Sequence, residues 1–581
     1  MKLLSEFAKE VQDYTTRDVE ISNGFMFSQH KLVKRISLYE NKIYKLGKTD
    51  SQGNYKYWFD IISPRRDAEV KNIDFDTKNI SVYSERKIDE LPVIVTNLKI
   101  KEWLREKGEA EKLNSAIEEF SGWGNVVWKK VKGGYERVNL KNFYVINQVA
   151  SCLDESAAIE HHELTQSDLR EKMGVWENVQ ETIDECGEKM SAPTGQQTPT
   201  ETTNPYYDVY ERNGEVCLAD LKEAKNVKIR KGDDGKYVLA KVVFSCTKNG
   251  AEGSITGKYI LFADEIKKPP YIEAHRGPYK GRWLREGLIE LLMDCQTRAN
   301  EIGNQIARGL EFASKTIFTT PDKLFVQNII TDLKNGDILR SEKGISHVPV
   351  RMDGFDQLVV DWNRIIQIAN EIANSREVVQ GDAGPSGTPY RTTSLLNENA
   401  NKLFDFIREK LGIALRDVFD KWILPVLVSE LKAKEIIRLT GDSDMLDRLY
   451  KLIVESWYLN NLLAIGPHDA MTADLLKTQK LDELKRRPQL LMSELDKVFA
   501  DFQPRACVEI TGEGLNRESE IRNVMEYAKI EGDPVRRTAL IEIGMKKSGI
   551  DVAGLPKSPA VPPVAVQSGQ SGQGRTVTTG Q

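Results

Sequence analysis

The stretch Trp283-Leu-Arg-Glu-Gly-Leu-Ile-Glu-Leu-Leu-Met-Asp-Cys-Gln-Thr-Arg-Ala-Asn-Glu-Ile-Gly-Asn-Gln-Ile-Ala-Arg-Gly-Leu310 decides how the chain is organised. Leu284, Leu288, Leu291, Leu292, Cys295, Ile302, Ile306 and Leu310 recur mostly at three- and four-residue steps. That spacing predicts one apolar face on a helix of about 30 residues, about 45 Å long. Gly287, Gly303 and Gly309 would let a neighbouring helix approach closely, each at a cost of up to about 1 kcal/mol in helix propensity.

Downstream, Lys315 to Thr320 and Ile345 to Val350 read as short β segments separated by the breakers Pro321-Asp322 and Asn335-Gly336. A second helix is expected from Phe355 to Glu377, with Leu358, Trp362, Ile365, Ile366, Ala369 and Ile372 on one face. The run Gly381-Asp-Ala-Gly-Pro-Ser-Gly-Thr-Pro-Tyr390, with three Gly and two Pro, then breaks the chain. A third long helix from about Thr393 should bury Leu395, Leu396, Leu403, Phe404, Ile407, Leu411, Leu415, Val418, Phe419 and Trp422, and Pro425 should kink it. Beyond it lie an expected strand at Ile436–Gly441, helices to about 500, a strand at Ala506–Thr511, and helices near 517–531 and 534–548.

Upstream, residues 1–282 mix the two periodicities. Helices are expected at about 3–18 and 99–121, and a hairpin at Val126–Leu140 turning at Gly133-Gly134. Further turns are expected at Asn213-Gly214, Asp234-Gly235 and Asn249-Gly250, residue pairs that accept positive φ. Two stretches resist folding. Ala192–Pro205 has one charge and no large apolar residue, and Ser558–Gln581 has one charged residue in a Gly/Gln/Ser/Pro/Val mixture. Neither buries enough surface to offset the entropy of ordering it.

The 581 residues carry 82 Lys+Arg against 87 Asp+Glu, a net charge of −5, which argues against wrapping nucleic acid by broad phosphate neutralisation. The longest uncharged apolar run near the middle, Trp422–Val428, is far below the roughly 20 residues of a membrane span, and Met1–Glu10 is charged where a secretory leader would be apolar. No membrane partner is expected. The six cysteines lack C-x-x-C spacing and read as reduced thiols.

Tests for chemistry return little. The Gly381–Gly387 loop lacks the Lys and the preceding strand of a phosphate-binding loop, so a connector is expected. His161 and His162 are adjacent on a strand and point to opposite faces, so they cannot easily share one metal; an edge strand with exposed polar side chains is expected. Thr165 should cap a helix at 166–173, with Asp168 at its third position. No nucleophile elbow, zinc spacing or kinase signature occurs. The expectation is no catalytic residue, no metal and no cofactor.

The order of parts is more telling: an α/β region, a long helix, a small β insert, a second helix, a Gly/Pro loop, a kinked long helix and terminal helices. With Pro270-Tyr271, Gly281-Arg282 and then Asp294, Gln296, Asn300 and Asn304 along the first long helix, this order resembles the portal proteins of tailed bacteriophages. Ser121-Gly-Trp-Gly-Asn-Val-Val-Trp128 and the strand-cap-helix at Ile159–Gly174 extend the resemblance, in particular to portals of crAss-like and related phages. It covers about residues 20 to 550.

The resemblance implies an α+β, portal-like architecture. Its parts would be an α/β wing (1–282 and 392–511), a two-helix stem (283–313 and 353–377), a small clip (314–352), a tunnel loop (378–391), a helical crown (512–557) and a disordered tail (558–581). It implies a dodecameric ring at the capsid vertex of the virion, assembled in the host cytoplasm, with the major capsid protein, terminase large subunit, head–tail adaptor and double-stranded DNA as partners, and no enzymatic activity. Ile317, Phe318, Leu324, Phe325 and Ile330 of the clip would face partners; Gln380, Asp382, Ser386, Thr388, Tyr390 and Arg391 of the tunnel loop would face DNA. Residues 283–377 hold 11 Lys+Arg and 14 Asp+Glu, a net of −3, which would let DNA slide rather than hold it. Two other readings stay open: a cytosolic nucleic-acid-processing enzyme, and a virion adaptor protein that does not enclose DNA.

Overall fold

The computed structural model describes residues 2–313, 318–319, 346–347, 354–374, 390–508 and parts of 524–541, apart from 51–52, 76–79, 87–88, 187–188, 191–201, 204–205, 250–253, 441–442, 466–469 and 501. The fold is α+β. Residues 1–510 form one unit; in the second, 511–581, the described residues 524, 526–529, 536–538 and 540–541 are helical.

The chain opens with α1 (Lys2–Thr16), the hairpin β1 and β2 (Val19–Ser22, Phe25–Phe27), α2 (Gln29–Glu40), α3 (Ile62–Ile73) and β3 (Ile80–Tyr83). Where one helix is expected at 99–121 there are two, α4 (Glu90–Glu106) and α5 (Glu109–Trp123), because Gly108 adopts φ +62° between them. β4 (Asn125–Val131) and β5 (Gly134–Arg137) form the expected hairpin, with Gly133 at φ +84° in its turn. β6 (Phe143–Val145), β7 (Ala158–Thr165), α6 (Gln166–Glu171) and α7 (Val179–Glu185) follow, the Thr165–Asp168 capping box opening α6 as the sequence predicts. β9 (Thr202–Thr203), inside the segment expected to be a loop, pairs with β8 (Lys189–Met190), which precedes that segment.

β10 (Tyr206–Cys217), α8 (Leu218–Ala224), β11 (Tyr237–Asn249) and β12 (Ser254–Glu265) complete an antiparallel sheet of order β12-β11-β10-β7-β6, and β13 (Tyr271–His275) joins β4. The turn expected at Asn213-Gly214 is absent: both residues lie inside β10. Gly214 is required there by packing, since a Cβ would stand 2.5 Å from the Ala157 Cβ. One face of this sheet packs Tyr210, Ile159 and Phe244 against Leu4, Phe7 and Tyr14 of α1, and the other packs Val209 and Val243 against Leu169 and Val179. Burial on both faces explains why the strands alternate poorly in sequence.

The long helix α9 (Leu288–Ala313) starts five residues later than expected, because Gly287 lies against the backbone of 122–124 and Arg285 donates its N–H to the Asn125 side chain. Leu310, expected on the buried face, is exposed. β14 (Phe318–Thr319) and β15 (Ser346–His347) pair antiparallel, and α10 (Phe355–Ile372) returns along α9 with Ala369 buried and Ile372 exposed. α11 (Tyr390–Val418) runs through a π-helical turn, Phe419–Ile423, into α12 (Leu424–Glu430). Pro425 cannot donate an N–H and crowds the preceding turn, and the wider π turn sits directly before it. Of the residues expected to be buried on this helix, Phe404, Ile407, Leu411, Leu415, Val418, Phe419 and Trp422 are; Leu403 is not.

α13 (Ala433–Thr440) replaces the expected strand at 436–441, Ile436 being fully buried in the same core cluster as Leu449 and Leu484. α14 (Ser443–Ile465), α15 (Ala470–Arg486) and α16 (Pro488–Ala500) lead to β16 (Arg505–Val508), which pairs with β3. The largest core cluster therefore mixes residues from 73–136 with residues from 404–506. The six cysteines form no disulfide, and among the described residues no helix is long and apolar enough to cross a membrane.

Candidate functional site

Three amides on one face of α9, Gln296, Asn300 and Asn304, sit four residues apart and hold the irregular segment 57–61 against the helix. Gln296 accepts the Ile61 N–H at 2.9 Å and donates to the Phe59 carbonyl at 2.6 Å. Asn300 accepts the Phe59 N–H at 2.8 Å, and Asn304 accepts the Tyr57 N–H at 2.7 Å while donating to the Tyr57 carbonyl at 2.9 Å. Four helical residues rise about 6 Å, and two extended residues span about 6.6 Å. The two repeats match, so alternate backbone groups of the segment meet successive amides. The helix side chains do for this segment what a neighbouring strand does in a sheet.

Gly303 lies between these amides, and a Cβ there would stand 2.4 Å from the Phe59 ring. Phe59 in turn meets Trp362 of α10 edge-on at 5.4 Å, and Arg298 of α9 pairs with Asp361 at 2.8 Å. Close approach at glycine, expected between helices, is made here by a ring from an irregular segment; at Gly309 it is made by Phe355 at the start of α10.

Beside the ladder, α2, residues 43–45, 56 and 58, and α9 line an open cavity of about 870 Å³. Trp58 lines it, edge-on to Tyr39 (5.8 Å) and Tyr44 (5.1 Å). Its lining carries Lys31, Lys34, Arg35, Lys45, Lys56 and Arg308 against the single acid Glu301. Lys31 pairs with Asp18, Arg308 with Asp50 and Arg35 loosely with Asp294, while Lys56 lies over the Tyr44 ring at 5.1 Å. The sequence carries a signal for this cluster, basic residues at 31, 34 and 35 followed by Tyr55-Lys-Tyr-Trp58, but nothing in it brings the two stretches together.

His161 and His162 point to opposite faces of β7 as expected, and each meets two carboxylates. His162, Glu160 and Glu211 share their face with Lys129, whose Nζ lies 2.6 Å from Glu160 and 2.9 Å from Glu211; Lys241 lies 2.9 Å from Glu211. Burial alone would raise the Glu211 carboxyl, but the two ammonium groups and the Asn213 amide hold it down at about 2. Burial also lowers the His162 imidazole, outweighing the pull of Glu160. His161 bonds Asp208 at 2.6 Å, with Glu163 close by, and stacks on Tyr210 at 4.7 Å. The exposed edge expected here is wrong for His161, which is buried because α1 covers that face and β10 flanks the strand.

Of the expected partner-facing residues, Phe318 lies in β14, paired with His347, and Ile317, Leu324, Phe325 and Ile330 lie outside the described residues. Of the expected channel residues, Tyr390 and Arg391 form the first turn of α11 rather than a loop, and Gln380, Asp382, Ser386 and Thr388 lie outside the described residues.

No protein-family model matches the chain, and no curated protein matches it. Among solved structures, it is similar to a chain in the neck of a native GTA particle computed with C12 symmetry, at TM-score 0.30 and 10% identity over 73% of this chain and 87% of that one. It is also similar to a chain in the neck of an empty GTA particle computed with C6 symmetry, at TM-score 0.29 and 9% identity over 81% of this chain and 97% of that one. Neither likeness is close enough to assign a family.

Proposed function

We propose that the chain is a portal subunit: one protomer of a ring at the vertex of a phage-like capsid, through which double-stranded DNA is packaged and ejected. The order of parts in the sequence supports the reading, and one observation of the structure carries it. Leu403, Phe406 and Ile413 line the solvent side of α11, with Phe406 55% exposed, while the opposite side of the same helix is buried in the main core. A helix that is apolar on both sides needs a second partner. In a ring, a neighbouring copy supplies it by a head-to-tail contact that closes on itself. Val359 and Val360 on α10 are exposed in the same way.

On this reading the α9–α10 pair forms the stem, and the pair β14–β15 belongs to the clip that docks terminase large subunit and, later, the head–tail adaptor. The subunit is not an enzyme; the energy for packaging comes from the motor. Single-particle imaging of the purified chain tests the proposal directly. Rings with a central opening wide enough for a DNA duplex are expected, and twelve-fold symmetry would match the dodecamer. Monodisperse monomers at micromolar concentration, from protein with a cooperative melt, would rule it out.

A further inference from the structure

We propose that the cavity between α2, residues 43–45, 56 and 58, and α9 binds a nucleotide unit, either free or within a single strand. The chain has a net charge of −5, yet this lining gathers six cations and one acid. Among the described residues Lys34, Lys45 and Lys56 have no carboxylate partner, so their charge faces the cavity or solvent. The floor is aromatic: Tyr39, Tyr44 and Trp58, with Leu38 and Ile43 beside them. The buried Trp58 indole N–H has no hydrogen-bond partner among the described residues.

A site for inorganic anions alone would need no rings, and an apolar site would gain nothing from the three lysines that lack a carboxylate partner. A planar base with an attached phosphate uses both. Lys56 over Tyr44 and Arg35 over Tyr39, at 5.1 and 5.9 Å, place the positive charge next to the rings, as the short link between base and phosphate requires. The volume of about 870 Å³ fits a small ligand and is too small for a duplex. The inference goes beyond a duplex conduit and does not depend on it, since the binding can be measured whether or not rings form.

The experiment is fluorescence anisotropy of the full chain with a short fluorescein-labelled oligothymidylate, in competition with adenosine monophosphate, inorganic phosphate and polyglutamate. Binding that weakens as salt rises is expected, reduced about tenfold or more by Lys34→Glu/Lys45→Glu and by Tyr44→Leu. Lys9→Glu/Lys107→Glu, which changes the net charge equally outside the cavity lining, should leave it unchanged; Lys34→Glu/Lys45→Glu should melt as the parent does, and Tyr44→Leu, which gives up the hydroxyl's bond to the Tyr57 carbonyl, slightly below it while staying folded at the assay temperature. Displacement by adenosine monophosphate identifies free nucleotides as ligands; displacement only by unlabelled oligothymidylate identifies a single strand. Three results would overturn the proposal: no binding of either probe, binding indifferent to the cavity variants, or competition by inorganic phosphate or polyglutamate equal to that of the nucleotides. Equal competition by polyglutamate would make the cavity a seat for an acidic segment of another protein copy.

Discussion

The side chain of Asn304 pairs with the backbone of Tyr57 as one strand pairs with another, accepting its N–H at 2.7 Å and donating to its carbonyl at 2.9 Å across 247 residues of sequence. Together with Gln296 and Asn300 it fixes the wall of the basic cavity to the long helix. The cost of losing each amide should follow the burial of its partner. Gln296 is fully buried and its bond to the Ile61 N–H is buried, whereas the bonds of Asn304 to Tyr57 are only part-buried. Gln296→Leu should therefore cost about 1–3 kcal/mol, the penalty of an unmet buried polar group, and Asn304→Leu less, because water can replace it. Urea denaturation of both variants checks the order; equal losses would mean that the ladder acts as one unit.

Gly303 and Phe59 should be coupled. A methyl group at 303 gains up to about 1 kcal/mol of helix propensity but meets the Phe59 ring at 2.4 Å, an overpacking that costs about 1–3 kcal/mol. The clash wins, so Gly303→Ala should destabilise. In a Phe59→Leu background the clash is relieved and the same change should be neutral or stabilising. A double-mutant cycle by thermal melting measures this, and additive effects would show that the ring moves aside freely.

The long helix was legible because its signal is local: apolar residues at helical spacing need no knowledge of their partners. The amide ladder uses an equally regular spacing, but polar residues four apart on a helix are common, and the segment they bind lies some 240 residues away. Local signals also misled. Asn213-Gly214 has the composition of a turn, yet Gly214 is there to admit Ala157 inside a strand. Ile436-Ile437 looks β-forming, but a helix buries Ile436 and half-buries Leu439 on one side, and tertiary packing overrides propensity. Two-faced burial of the five-stranded sheet hid the alternation that would have marked His161 as an inward residue.

Acid should weaken the sheet through Glu211. Its folded carboxyl is held at about 2 against an ordinary value of 4.5, so the folded state binds a proton less readily than the unfolded chain. The stabilisation is complete above the unfolded value and is lost as pH falls from about 4.5 towards 2, on the order of 3 kcal/mol in all. Glu211→Gln should flatten that part of the dependence of the urea midpoint on pH. Lys129→Met should be worse than the loss of a surface pair, at about 3–5 kcal/mol at neutral pH, because it leaves Glu160 and Glu211 facing one another with Lys241 as the remaining ammonium beside Glu211. A slope unchanged by Glu211→Gln would place the acid sensitivity elsewhere.

Assembly should depend on the solvent side of α11. Leu403, Phe406 and Ile413 make no part of the protomer core; Lys410, which donates to the Arg276 carbonyl, lies over the Phe406 ring at 4.5 Å. Phe406→Glu/Ile413→Glu therefore removes little from the fold of one subunit, and surface changes of this kind usually stay within about 0.5 kcal/mol. Between subunits the same change buries two carboxylates in an apolar contact, at a cost of several kcal/mol for each copy in the ring. The melting temperature of dilute protein should stay close to that of the parent, while mass photometry should show rings giving way to protomers. Phe406→Leu, which keeps the apolar surface, should still assemble. Intact rings in the double-glutamate variant would show that the exposed stripe faces solvent in the assembly and that other surfaces join the subunits.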